Sequence, residues 1–171
     1  MGVDFSVSLV NWEELTEAVH RSPPIELDEI SDLFPPEPEA DGGSWGAASE
    51  LWERFKGLRN RWRSPAVDAF AELFGTLFWS WQSGYERVDD LGLPIDNRLG
   101  IDSAWSPRTV VRFASLWRQI DLESCRQVFQ DVSSDLPCST FEEFKAAALE
   151  WGKLILRGAE QKRGLVVFIA F

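Results

Sequence analysis

The two ends of the chain carry hydrophobic patterns that are typical of β-strands. Near the N-terminus, apolar residues alternate with polar ones at Val3, Phe5, Val7 and Leu9. A period of two predicts a strand with one buried face. Residues 165–171 are all apolar and predict a strand buried on both faces. A strand this apolar must be paired and covered, so we expect the two terminal strands to pair in one sheet.

Between the strands, apolar residues recur at helical spacing behind recognisable start signals. Asn11 with Glu14 and Thr140 with Glu143 have capping-box spacing, and Ser-Pro pairs at 64–65 and 106–107 place an N-cap before a first-turn proline. Six helices are predicted: after Asn11, over 44–63, over a stretch that includes Val67 to Trp81, from Pro107 to Ile120, after Asp121 and over 141–162. We therefore expect an α+β fold, a mostly helical single domain over 1–171 with a small sheet that pairs the N-terminal and C-terminal strands.

Residues 25–43 form an acidic segment with several prolines. It holds seven Asp or Glu residues, no Lys or Arg, and interleaved apolar residues. Such composition is typical of a solvated loop. The alternative is a docking strip for a basic protein partner, with Glu37, Glu39, Asp41 and Trp45 as binding residues. A third interpretation is neutralisation within the chain by the basic face of the 44–63 helix.

Residues 83–105 are rich in glycine and predict a long loop. Loops on a rigid scaffold often carry function, and this one holds polar residues suited to a small-molecule ligand at Tyr85, Arg87, Asp89, Asp96, Arg98 and Asp102. Trp79 and Trp105 fit helical stripes poorly and are candidates for a pocket wall or an interface. A sheet of two strands is marginal, so we expect a further strand around 91–101 or between helices.

Composition excludes several classes of function. The formal charge of −11 repels phosphate backbones, so we expect no nucleic-acid binding despite nine tryptophans. No apolar stretch reaches 18 residues and no signal peptide is visible, so we expect no membrane span and a cytoplasmic location.

Candidate catalytic and metal patterns fail on their context. Residues 42–46 match G-x-S-x-G, but no strand precedes Ser44, and the single histidine, His20, lies before the serine instead of after it. Cys125 and Cys138 have no second Cys/His pair nearby to complete a zinc site. We predict no catalytic residue, no metal and no cofactor.

The order of these features resembles the YfbM-like family of uncharacterised bacterial proteins. The resemblance rests on the 1–15 strand and helix, on Ser106 to Asp121, and on the closing helix and strand. It implies a small cytosolic α+β domain and brings no catalytic residues. Two functions stay open. One is a non-enzymatic binding protein, such as an inhibitor or immunity-type protein. The other is a small-molecule enzyme or sensor that uses the 83–105 loop.

Overall fold

The computed structural model describes residues 4–21, 32–35, 37, 64–78, 81–82, 86–87, 89–92, 101–132 and 140–170. The elements in chain order are β1 (Asp4–Val10), α1 (Trp12–Val19), α2 (Pro65–Phe78), β2 (Trp81–Gln82), β3 (Glu86–Arg87), β4 (Ile101–Trp105), α3 (Pro107–Trp117), a 3-10 turn (Leu122–Cys125), α4 (Arg126–Val132), α5 (Phe141–Glu160) and β5 (Gly164–Ala170). The predicted α+β class is confirmed. The predicted helix over 44–63 lies outside the described residues.

The main sheet is antiparallel with strand order β1-β5-β4, and β2 and β3 form a separate two-stranded ribbon. Val7 of β1 lies opposite Val167 of β5, and Trp105 of β4 lies opposite Leu165. The predicted pairing of the terminal strands is therefore confirmed. Strand β5 takes the central position because it is apolar on both faces, with Leu165, Val166 and Val167 fully buried.

The sheet separates two hydrophobic clusters. The larger one joins Leu165 and Val167 to the inner faces of helices α2 to α5, where Phe74 and Trp151 are fully buried. The smaller one joins Val166 to α1 through Leu15, together with residues from neighbouring segments. Helices therefore cover the sheet on both sides, and α1 belongs to the less heavily covered face.

Capping interactions mark the helix ends. The hydroxyl of Ser64 accepts from the Val67 amide at 3.2 Å before α2, and Thr140 forms a complete capping box with Glu143 at the start of α5. Helix α5 ends with Lys162 at a φ of 54°. The Arg163 amide donates to Gly158 O at 2.9 Å, and the Lys162 amide donates to Ala159 O at 3.3 Å. This is a Schellman motif with a non-glycine residue in its left-handed position.

Part of the predicted 83–105 loop is instead β-structure, because β3 and β4 lie within it. Strand β4 is polar at Asp102 and Ser103, which hides its strand pattern, yet all five of its residues are buried. Its amides pair with the apolar β5, and the Ser103 hydroxyl donates to Leu77 O at 3.3 Å. Helix α2 also ends at Phe78, before the predicted Trp81.

The prediction of a single buried face for β1 is wrong, because Ser8 is as fully buried as Val7, and Val10, on the same face as Ser8, is 1% exposed. The Ser8 hydroxyl donates to the carbonyl oxygen of Phe34 at 2.9 Å, so a segment of the acidic region covers this second face. Among the described helices, none combines the length and apolar character that crossing a membrane requires.

Candidate functional site

Helix α1 presents a charged side next to the smaller hydrophobic cluster. Asn11 caps the helix, since its Oδ1 accepts from the Glu13 amide at 3.1 Å and its Nδ2 donates to Glu14 Oε1 at 3.0 Å. Leu15 anchors the helix to the core with no exposure. The register set by Leu15 leaves Glu14 and Glu17 exposed on the helix surface.

A strap, which we define as residues 32–35 and 37, lies beside α1 and across β1. Phe34 inserts into the smaller cluster and is only 6% exposed. The Ser8 hydroxyl is shared between Phe34 O and Pro35 O at 2.9 and 3.0 Å. Burying a phenylalanine side chain contributes about 1.5–3 kcal/mol, so Phe34 is the main apolar anchor of the strap.

Glu37 holds the far end of the strap through main-chain and side-chain contacts. Its amide donates to Val7 O at 2.8 Å, and its Oε1 accepts from the Leu9 amide at 3.4 Å. Its Oε2 pairs with Arg157 Nη2 of α5 at 2.6 Å. The carboxylate is part-buried, and it therefore joins the outer edge of β1 to the last turns of α5.

The space between α1 and the strap is a groove of about 410 Å³. Its lining is formed by Glu14, Glu17, Ala18, Arg21, Leu33 and Phe34. Leu33 is 56% exposed, the most exposed large apolar side chain of the described residues. The groove thus combines apolar side chains with two carboxylates, from Glu14 and Glu17, and one guanidinium, from Arg21, which lies just beyond the C-terminal end of α1. We refer to it as the α1 groove.

These contacts change the interpretation of the acidic segment. The solvated-loop interpretation is wrong for Phe34, Pro35 and Glu37, because these residues are anchored to β1 and α5. Glu37, predicted to contact a partner, pairs with Arg157 of its own chain. Arg157 of α5 therefore neutralises Glu37, whereas the basic face of 44–63 lies outside the described residues. Glu39, Asp41 and Trp45 also lie outside them.

Asp89 and Asp90, in the predicted ligand loop, bind backbone groups at the edge of β4. Asp89 Oδ2 accepts from the Ala104 amide at 2.9 Å, and Asp89 Oδ1 accepts from the Leu91 amide at 3.2 Å. Asp90 Oδ2 accepts from both the amide and the hydroxyl of Ser106, at 2.8 and 2.6 Å. The hydroxyl of Ser106 is thereby drawn away from the α3 amides. This pair of carboxylates attaches the loop to β4 and α3.

The environment of Asp90 lowers its pKa from the ordinary 3.8. Partial burial, the largest influence, raises the pKa, because it disfavours the charged carboxylate. Hydrogen bonds from Ser106 and Thr109, together with the charge of Arg108, outweigh that effect. The ionised form of Asp90 is therefore stabilised by folding.

Of the remaining predicted ligand residues, the structure describes the side chains of Asp102 and Trp105. Asp102 is buried at 9% exposure within β4. Trp105 was expected at an exposed wall, but it is 3% exposed and makes an edge-on contact with Phe113 at 5.5 Å between ring centroids. It is a core residue because β4 turns it into the larger cluster. Arg87 lies in β3, and its side chain is outside the described set. Trp79, Tyr85, Asp96 and Arg98 also lie outside the described residues.

The candidate catalytic and metal residues occupy ordinary structural positions. The Nδ1 of His20 lies 2.7 Å from Thr16 O at the C-terminal end of α1. Cys125 is a free buried thiol whose pKa is raised to about 12, mainly by burial and also by the charge of Asp121. Across the described ranges, no group of three His, Cys, Asp or Glu side chains could hold a metal ion. Ser44 and Cys138 lie outside those ranges.

The lining residues from α1 were absent from the residues predicted for the site. Their signal was visible, because Glu14, Glu17 and Arg21 recur at intervals of three and four along a predicted helix. The second wall of the groove could not be predicted from the sequence, because it depends on Phe34 packing against this helix. Comparison with protein-family models, with curated proteins and with solved structures finds no match.

Proposed function

We propose that this chain is a non-enzymatic binding protein that docks a basic segment of a protein partner in the α1 groove. The observation that carries the proposal is the juxtaposition of Glu14 and Glu17 with the exposed apolar side chain of Leu33. Such a surface suits a partner side chain that is both apolar and cationic, since the long stems of Lys and Arg pack on apolar surface while their charged ends reach carboxylates.

The overall charge supports the same class of partner. A formal net charge of −11 attracts a basic protein from a distance and accelerates its association. The local charges of the groove then select how that partner binds. An inhibitor or immunity-type protein that neutralises a basic target would use both properties.

The proposal also includes a cytoplasmic location and membership of the YfbM-like family. Both of these properties stay predictions. A buried free thiol at Cys125 fits a reducing compartment.

The test replaces the groove carboxylates and measures binding directly. The variant carries Glu14→Gln and Glu17→Gln, which remove two charges from the groove. Its matched control carries Glu13→Gln and Glu160→Gln, which remove two charges from exposed positions that do not line the groove. Proteins captured from the native host by the wild-type chain are purified, and their affinities for all three forms are measured by calorimetry.

We expect a basic partner whose affinity falls about two- to thirtyfold for the groove variant, since each exposed ion pair contributes about 0.2–1 kcal/mol and both carboxylates are lost. The control variant should retain the wild-type affinity at the same net charge. Equal weakening of both variants would show that only the general negative field matters, and it would refute docking in the groove.

A further inference from the structure

The charges of the α1 groove follow a fixed order along the chain. Glu14 and Glu17 are one turn apart on α1, and Arg21 lies in the turn beyond the end of the helix. The helix rises about 7.5 Å from Glu14 to Val19 at 1.5 Å per residue, so Glu14 and Arg21 are about 10 Å apart along the groove. A ligand that lies along the groove therefore meets two anionic groups at one end and a cationic group at the other.

These charges remain available to a ligand. Arg21 follows Glu17 by four residues but lies beyond the end of α1 at Val19. Within the part of the chain that the structure describes, no ion pair joins Glu17 to Arg21. Glu14 uses only Oε1, which accepts from the Asn11 side-chain amide. All three side chains are exposed.

The spacing of the charges along the groove sets the length of an extended ligand. An extended chain covers the same 10 Å with about three residue steps of 3.3 Å. An extended segment of about four residues therefore fits the groove, with its two ends at the opposite charges.

We infer that the docked segment is ampholytic and not purely basic. This inference rests on the proposed function and specifies its ligand. A Lys or Arg faces Glu14 and Glu17, an apolar side chain covers Ala18, Leu33 and Phe34, and a carboxylate about three residues from the cation meets Arg21. A purely basic segment would place a like charge against Arg21, and like charges in contact are unfavourable.

The experiment uses three acetylated and amidated tetrapeptides, Lys-Leu-Ala-Glu, Lys-Leu-Ala-Gln and Lys-Leu-Ala-Lys. Binding is followed by NMR shifts of the α1 amides at low salt, where exposed charges are least screened. We expect the Glu peptide to bind about two- to fivefold more tightly than the Gln peptide, the contribution of one exposed ion pair. The Lys peptide should bind most weakly.

A charge reversal in the protein provides the second arm. Arg21→Glu should invert the order, so that the Lys peptide binds most tightly. The matched control is Arg118→Glu, which makes the same change at an exposed arginine after α3 that does not line the groove. It should leave the order of the three peptides unchanged.

The outcomes separate this inference from the proposed function. Equal affinities for the Glu and Gln peptides, with binding still weakened by Glu14→Gln and Glu17→Gln, would overturn the ampholytic ligand and leave basic-partner docking intact. An order that Arg118→Glu inverts as strongly as Arg21→Glu would also overturn it. Failure of every peptide to shift the α1 amides would overturn both.

Discussion

Replacement of Gly152 by alanine tests whether the close approach of α3 to α5 is required for stability. Gly152 is buried in the middle of α5, beneath the ring of Trp117. A Cβ at this position would lie 2.0 Å from both Cε2 and Cζ2 of Trp117. No real contact is that short, so the ring or the helix has to move.

Two effects of opposite sign determine the result. Alanine in a helix interior is favoured over glycine by about 1 kcal/mol. Overpacking a tight contact costs about 1–3 kcal/mol or more. Because a 2.0 Å contact requires the whole indole ring to move, and this ring contacts Phe74 edge-on at 6.5 Å between centroids, we expect a net loss of about 1–2 kcal/mol in the free energy of unfolding.

Urea denaturation of four proteins measures this balance: the wild type, Gly152→Ala, Trp117→Ala and the double variant. With the ring removed, only the helix preference remains, so Gly152→Ala should stabilise the Trp117→Ala protein by about 1 kcal/mol. Gly158→Ala is a control on the same helix, because the closest contacts of its new Cβ would be the side-chain methyl groups of Leu9 at 2.9 Å and Val110 at 3.2 Å, and we expect a change within about 0.5 kcal/mol. A stabilising effect of Gly152→Ala in the wild type would refute the reasoning.

Three further predictions follow from other parts of the fold. In a Cys138→Ser background, Cys125 should react with a thiol reagent at pH 8 only after unfolding, because burial raises its pKa to about 12 and leaves about one thiol in ten thousand ionised; rapid reaction of the native protein would contradict this. Folding lowers the pKa of Asp90, with Ser106 as its main hydrogen-bond partner, so its stabilising contribution is present above the ordinary value near pH 4 and lost below it. The stability gap between wild type and Asp90→Asn, measured by urea unfolding at several pH values, should therefore shrink as the pH falls below about 4, and a constant gap would exclude this role. Lys162→Gly should raise the free energy of unfolding by about 1 kcal/mol, because glycine adopts a φ of 54° without steric cost; unchanged stability in the same assay would show that the lysine is not strained.

The predictable parts of the fold are those where local pattern and tertiary environment agree. Residues 165–171 are apolar at every position. Both faces of such a segment are removed from water only when it forms a central strand in a sheet that is covered on both sides. The start of α5 was equally readable, since Thr140 and Glu143 form their capping box from local contacts alone. In both cases the chain needs no information from distant residues.

Strand β4 shows where such reasoning stops. Its sequence, Ile-Asp-Ser-Ala-Trp, has polar residues at two of five positions, yet all five are buried. Ser103 is accommodated because β5 lies alongside it and α2 offers the carbonyl of Leu77 to the serine hydroxyl. These partners are 26 or more residues away in the chain, so no local pattern could indicate that burial.

The α1 groove depends on the same kind of distant contact. Its charges belong to α1 and the turn that follows it and were readable, but its second wall exists only because Phe34 is buried and Glu37 is tied to β1 and Arg157. Under the proposed function, the acidic segment would act in two ways. Its net charge would attract a basic partner at long range, which any arrangement of the same residues would do. Its anchored portion places Leu33 in the groove wall that faces α1, and defined positions are what allow one partner to be distinguished from another.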